Sequence, residues 1–320
     1  MRGLAAAMVL TAGRGERMRP LSDVLPKPAL PLTDGPVVGS ALDLAVRSGA
    51  ARIVCNTWHL ADLMTTVIET AAAAAGVTIN VSFESSLMGT AGGLALARDR
   101  GLLGSAGPVL VINGDCLSNL DITDLVTRHS ERCDAVTLGL LPHPDPRRWS
   151  RVLVNDSGAV TAIRRPGGCA PDETPQLYPG VMVVSRDTLD GLPSYRGETP
   201  DRLWFPALEA GRLGGVTVAG SWREVGTAAD YLAVNMEQLA GASRIHPTAR
   251  VAPSAVVEAS FIGAGAAVKA DAVVRRSVVV AGASVGTDGR VTNSVLLGRT
   301  ETAPRVEIED EFRVGPLELS

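Results

Sequence analysis

The sequence predicts an α/β domain built on a doubly wound, largely parallel sheet, followed by a short parallel β-helix. Two observations carry this. Up to Leu140, short aliphatic runs alternate with helical patterns, the order expected of a sheet whose crossover helices cover both faces. Beyond Gly241 the pattern changes, and aliphatic residues recur every six positions among small residues and glycine. That is the signature of repeats that each add one short strand to a triangular coil. The Gly241-Ala242 pair therefore divides a domain over residues 1–241 from a second over 242–320, the latter including a C-terminal tail.

Taking the elements in order, Ala7–Leu10, Arg52–Cys55, Val77–Phe83, Val109–Asn113 and Ala135–Leu140 read as strands, several of them rich in β-branched residues. Leu60, Leu63, Met64, Val67 and Ile68 mark one helical face, which Gly76 ends. Asp121 is placed to cap a helix holding Leu125 and Val126. From Trp149 to Gly220 the pattern is less regular, with strands at Arg151–Val154, Ala159–Ile163 and Val181–Val184 forming a lid or second half over the site. Thr227 caps a helix to about Leu239. In the repeats, Ile245, Val251, Val257, Ile262, Val268, Val274 and Val280, and one register over Val273, Val279, Val285, Val291 and Leu297, are expected to point inward, over about three coils.

The composition bounds what this chain does. With 46% hydrophobic and only 3% aromatic residues, the core must be aliphatic. A net charge of −4 argues against nucleic acid as a partner, because a strand of phosphates demands a basic field. The apolar run before Gly13 is too short to span a bilayer, so no membrane partner is expected. Cys55, Cys116, Cys133 and Cys169 show no metal or disulfide spacing, which fits a reducing cytoplasm.

The chemistry concentrates in Met8–Pro28, where an apolar run ends in a loop holding Gly13, Arg14, Gly15, Arg17 and Arg19, followed by Pro26-Lys27-Pro28. Glycines let a backbone approach a ligand, and exposed N–H groups with guanidinium forks suit phosphate oxygens. No Gly-Lys-Ser/Thr follows and Met18 stands where a third glycine would, so this is neither a P-loop nor a dinucleotide fingerprint. Asn113-Gly114-Asp115 closes another strand, at the same carboxyl edge of the sheet. A carboxylate and a phosphate-gripping loop on one edge make a metal-assisted phosphate site.

Gly13-x-Gly15-x-Arg17-Met18-x-Pro20-Leu21, Pro26-Lys27-Pro28, Leu87-Met88-Gly89-Thr90-Ala91-Gly92-Gly93, Asn113-Gly114-Asp115, Pro179-Gly180 and Trp222-x-x-Val225-Gly226-Thr227-x-x-Asp230-Tyr231 resemble the signature of the sugar-1-phosphate nucleotidyltransferases, also called NDP-sugar pyrophosphorylases. Nearly the whole chain shares the likeness, and the repeats make it most similar to the mannose-1-phosphate guanylyltransferase branch. The resemblance implies a Rossmann-like mixed sheet of the nucleotide-diphospho-sugar transferase type, a left-handed β-helix and a homo-oligomer. It implies the reaction of an NTP with a sugar 1-phosphate, giving an NDP-sugar and pyrophosphate, with Mg²⁺. Arg17, Lys27 and Asp115 would be catalytic. Thr11, Ala12, Gly13, Arg14, Gly15, Glu84, Gly89, Thr90 and Asn113 would bind nucleotide, and Arg165, Gly180 and Glu224 the sugar phosphate. Asp115 and Glu224 would hold the metal. A carboxylate at Glu84 could accept from both guanine N1–H and N2–H₂, which favours GTP.

Two positions depart from the family pattern: Glu224 stands for the usual Asp, and Arg164-Arg165-Pro166 for Glu-Lys-Pro. An Arg in place of a sugar-binding Glu changes which hydroxyls are read, so the acceptor is expected to be an unusual sugar or sugar-like cyclitol 1-phosphate. The same departures leave open an alternative, a catalytically silent regulatory subunit of the same fold that binds nucleotide sugars.

Overall fold

A computed structural model describes residues 3–317. In chain order the elements are β1 (Ala6–Leu10), a hairpin of β2 (Pro31–Leu32) and β3 (Gly35–Pro36), α1 (Gly39–Arg47), β4 (Ile53–Thr57), α2 (Ala61–Ala75), β5 (Ile79–Phe83), α3 (Gly89–Asp99), β6 (Val109–Asn113) and β7 (Cys116–Asp121). There follow α4 (Thr123–Arg132), β8 (Val136–Pro142), β9 (Arg151–Val154), β10 (Val160–Arg164), β11 (Gln176–Leu177), β12 (Val181–Val184), α5 (Arg186–Asp190), α6 (Phe205–Glu209), β13 (Leu213–Thr217), β14 (Ala219–Glu224) and α7 (Ala228–Leu239). The chain forms two compact units. One holds the segment ending at Gly13 with Val38–Ala61 and Thr65–Arg223, and the other holds Arg14–Val37, Asp62–Met64 and the described residues from Glu224 onward.

The first unit is organised by a ten-stranded mixed sheet in the order β10-β9-β11-β8-β12-β6-β1-β4-β5, with β13 beside β8. β1 and β4 are buried along their whole length, as strands covered on both faces must be, and they run parallel to each other and to β6 and β5. The less regular stretch breaks the parallel order: β12 enters between β6 and β8, antiparallel to both. Its core is aliphatic, with Met8, Leu94, Val109, Val111, Leu138, Met182 and Val184 in one cluster. Gly76, at φ +66°, ends α2 as expected. Asp121 works one place earlier than a strict N-cap, accepting the Thr123 N–H at 3.0 Å.

In the second unit, Thr227 and Asp230 close a capping box at the start of α7. The repeats then wind into three parallel sheets. Strands Arg244–Ile245, Phe261–Ile262, Val278–Val280, Val295–Leu297 and Phe312–Val314 form one; Arg250–Val251, Ala267–Val268 and Ser284–Val285 the second; Val256–Glu258, Val273–Arg275, Arg290–Thr292 and Glu307–Glu309 the third. Corresponding residues lie 17 apart, not 18, and four turns separate Arg244 from Phe312, one more than the periodicity suggests. One corner of each turn is a residue short, so the inward series runs Ile262, Val268, Val274, Val279, Val285, Val291, Leu296. Val280, Val273 and Leu297, expected inside, alternate onto the outer face. The short corner carries left-handed residues at Ala259, Arg276, Asn293 and Asp310, the first three each followed by a serine of a ladder and the last by Glu311. Ser260 Oγ accepts the Ser277 N–H at 3.0 Å, Ser277 Oγ the Ser294 N–H at 3.1 Å, and Ser294 Oγ the Glu311 N–H at 3.0 Å. These serines are fully buried, so the ladder satisfies N–H groups that the tight turn withholds from the sheets.

Candidate active site

In the first unit, the ends of β1 and β6 meet as expected. Leu10 pairs with Asn113, and the Gly114 N–H donates to Leu10 O at 3.0 Å. A Cβ on Gly114 would stand 2.8 Å from that oxygen, so only glycine allows the approach. The Asn113 N–H donates to Gly180 O at 2.8 Å, and Gly180, at φ +92°, faces the Asn113 side chain. Thr11, Asn113 and Gly180 thus share one sheet edge. Asp115 is half-buried and directly precedes β7, whereas Glu224, the other residue expected at the metal, belongs to the second unit.

Glu84 occupies a different position from the one expected. It is 1% exposed, with Oε1 accepting Asn56 Nδ2 at 2.7 Å and Oε2 accepting the Met88 N–H at 2.8 Å. Both oxygens are committed inside the protein, so Glu84 does not present a carboxylate to a base and gives no preference for guanine. Burial raises its pKa, opposed by the Met88 and Asn56 hydrogen bonds and the Arg100 charge. Asn56, which sequence reasoning passed over, turns its Oδ1 to the N–H groups of Thr11 at 2.8 Å and Ala12 at 3.4 Å.

Gly89 and Thr90 open α3, and its first N–H groups are already occupied. Glu198 Oε2 accepts from Thr90 N at 3.1 Å and Thr90 Oγ1 at 3.0 Å, while Gly197 O accepts from Ala91 N at 3.0 Å and Gly92 N at 3.1 Å. This helix end is closed by the chain's own carboxylate and carbonyl rather than offered to a phosphate. Glu198 carried no sequence signal, because its partner lies 108 residues away.

In the second unit, the loop from Arg14 runs through three short 3-10 turns, Glu16–Met18, Leu21–Asp23 and Lys27–Ala29. Gly15 adopts a left-handed φ of +61°, and its carbonyl accepts Ser22 Oγ at 2.8 Å. A Cβ on Gly15 would lie 3.7 Å from that of the buried Lys27, so glycine turn and lysine are neighbours. Gly13, which belongs to the first unit, differs: nothing lies within 4 Å of its missing Cβ. Arg14 pairs at the surface with Glu16 at 3.5 Å. Arg17 reaches Glu224, both its terminal nitrogens lying 3.4 Å from Oε1, and Gly226 leaves room for that carboxylate.

Arg165 lies exposed on the loop after β10. The buried Arg151 holds that loop by donating to the Arg165 carbonyl at 3.3 Å. Arg164 is paired with Glu173 at 3.2 Å, so the residue standing for an expected acid meets an acid from elsewhere in the chain.

A mixed doubly wound sheet, a glycine turn beside a buried lysine and a repeat coil are the parts of a nucleotide-transferring enzyme. Residues 6–165 match the family model described as Nucleotidyl transferase, and the chain belongs to that family. It is similar to mannose-1-phosphate guanylyltransferase of Mycobacterium tuberculosis, 28% identical over 81% of this chain and 75% of the relative. Mannose-1-phosphate guanyltransferase beta-A of Xenopus laevis is 25% identical over 75% of this chain, and probable mannose-1-phosphate guanylyltransferase 3 of rice 24% over 71%. The chain spans 66% and 62% of the lengths of these two. No helix among the described residues is long and apolar enough to cross a membrane.

Proposed function

We propose that this protein transfers a guanylyl group from GTP to a sugar 1-phosphate or a sugar-like cyclitol 1-phosphate, releasing pyrophosphate. The observation that carries this reading is the Arg14–Val37 loop, where a left-handed glycine abuts a buried lysine and the same loop exposes the Arg17 side chain. A phosphate oxygen of the acceptor is anionic at neutral pH, so it attacks the α-phosphorus without a general base while pyrophosphate leaves in line. The protein must align two mutually repelling anions and neutralise them. Lys27 places a positive charge between the reacting phosphates, and Arg17 draws off the charge that develops on pyrophosphate. By the family resemblance the metal falls to Asp115 and Glu224, each a hard oxygen donor of the kind Mg²⁺ takes, and a bound ion would supply further neutralisation. The lean to GTP rests on the named relatives, since Glu84 is spent inside the fold. Arg164 and its Glu173 partner support an acceptor other than plain mannose 1-phosphate.

A pyrophosphate-release assay with four NTPs against mannose 1-phosphate, other hexose 1-phosphates and a cyclitol 1-phosphate tests this. The expected result is the highest kcat/KM with GTP and an acceptor other than mannose 1-phosphate. Highest efficiency with mannose 1-phosphate removes the unusual acceptor; preference for UTP removes the base assignment. No pyrophosphate from any pair, with tight NDP-sugar binding, establishes the silent regulatory subunit instead.

A further inference from the structure

Three adjacent parallel strands, β1, β4 and β5, end at Thr11, Asn56-Thr57 and Glu84, and one hydrogen-bonded line crosses all three ends. It starts at the Thr11 N–H, enters Asn56 Oδ1, leaves through Asn56 Nδ2 into Glu84 Oε1, and closes where Glu84 Oε2 receives the Met88 N–H. We propose that Asn56 and Glu84 are positioning residues that lock the backbone of Thr11-Ala12 to that of Met88-Gly89, two segments assigned above or by resemblance to the nucleotide. This rests on the nucleotidyl-transfer reading and names the device that keeps its two walls in register.

The polarity of the line is dictated from both ends. Thr11 N and Met88 N are backbone donors and can only donate. An amide followed by an acceptor-only carboxylate is a sequence of groups that satisfies both, and Asn56 with Glu84 supplies it. The packing around the pair is shaped to admit it. A Cβ on Gly93 would stand 2.7 Å from Glu84 Oε1 and 3.0 Å from Asn56 Nδ2, so α3 can pack here only with a glycine facing the pair. Thr11 Oγ1 adds a second tie, donating to the Asn56 carbonyl. A buried carboxylate is a costly way to fill space, and an apolar pair would fill it more cheaply. What an apolar pair cannot do is receive the two backbone N–H groups.

The test exploits that polarity. Glu84→Gln puts an amide N–H against a donor, and Asn56→Asp puts two carboxylates together. The double variant restores every bond with the order of groups reversed. The new carboxylate at position 56 accepts from the Thr11 N–H and from the new amide at position 84, and the oxygen of that amide accepts from Met88 N. Each single variant is expected to raise the KM for the nucleotide about tenfold or more, from an unmet buried donor or an unshared buried charge. The double variant is expected to return to within a few-fold of the parent. A double variant no better than the product of the singles overturns the relay. Amide hydrogen exchange of the unliganded proteins provides a readout independent of turnover. Glu84→Gln is expected to speed exchange at Met88 and also at Thr11-Ala12, two bonds away along the line. Faster exchange at Met88 alone assigns Glu84 a local role and overturns the coupling. If the parent releases no pyrophosphate, the transfer reading fails by itself, and exchange still decides the relay.

Discussion

Arg17 and Glu224, 207 positions apart in the chain, meet at 3.4 Å through one carboxylate oxygen and both terminal guanidinium nitrogens. The Arg17 side chain is 70% exposed, so the pair contributes little to stability, about 0–1 kcal/mol. Arg17→Ala should leave the melting temperature within a few degrees of the parent. It should lower kcat/KM for the nucleotide about 10²-fold, the scale for losing one charge that stabilises a transferring phosphoryl group. Melting curves and steady-state kinetics on one preparation separate the two effects.

Lys27 is buried, with its Cβ beside Gly15. Lys27→Ala should reduce turnover by about 10²- to 10³-fold with every substrate pair while circular dichroism stays that of the parent. Near-normal turnover would remove Lys27 from the reaction.

Gly15→Ala places a Cβ 3.0 Å from that of Ser22 and keeps a left-handed φ. The backbone term alone costs about 1–2 kcal/mol. Urea denaturation should show a stability lower by that amount, whereas Gly13→Ala, with open space around it, should change the midpoint little.

His129 is buried, its Nδ1 2.8 Å from Thr137 Oγ1, which in turn donates to Asp134 at 3.1 Å. Burial lowers its pKa below the ordinary 6.5, with the Asp134 charge opposing. The neutral form is therefore the folded one: its stabilisation is complete above pH 6.5 and is lost as pH falls from there through the lowered value. Between the lowered value and 6.5 the unfolded chain binds a proton that the folded one does not, so the stability attributable to His129 falls as pH falls. Denaturation at about pH 7.5, 6.5 and 5.5, spanning the ordinary histidine value, should show this loss, and His129→Gln should flatten it.

Ser277→Ala removes the acceptor of the buried Ser294 N–H. The expected loss is about 1–3 kcal/mol, read as a lower melting temperature. Ser277→Thr, which keeps the hydroxyl, should recover part of it.

Legibility in the sequence follows how local each feature is. β1, β4 and β6 are visible because strands buried on both faces must be apolar throughout. Gly76 and Thr227 are visible because caps act over three or four residues. Gly15 and Lys27 are found together because the loop that joins them is short. Glu84 misleads because a carboxylate's task depends on what faces it, and its partner Asn56 lies 28 residues away on another strand. Glu198, closing α3 from a distance, has no pattern at all. The antiparallel entry of β12 is equally silent, since an aliphatic run such as Val181–Val184 reads the same in either direction. The repeats are recognisable but easily miscounted, because one missing residue per turn slides an alternating strand onto its other face. The recurrence of Ser260, Ser277 and Ser294 is the signal that corrects the count.

The seventeen-residue turn also fixes the azimuth of the coil. Outward-pointing Phe261, Val278, Val280, Val295 and Leu297 are all buried, and their sheet touches the Leu21–Asp23 turn through its last strand. The third sheet instead shows solvent a charged ladder that includes Glu258 with Arg275 and Arg290 with Glu307. Inserting a single hexapeptide would rotate everything downstream by a third of a revolution, turning acids and bases toward the covered side and valines toward water. Length can therefore change in this domain only by whole revolutions, and the coil behaves less like a string of interchangeable repeats than like a keyed shaft.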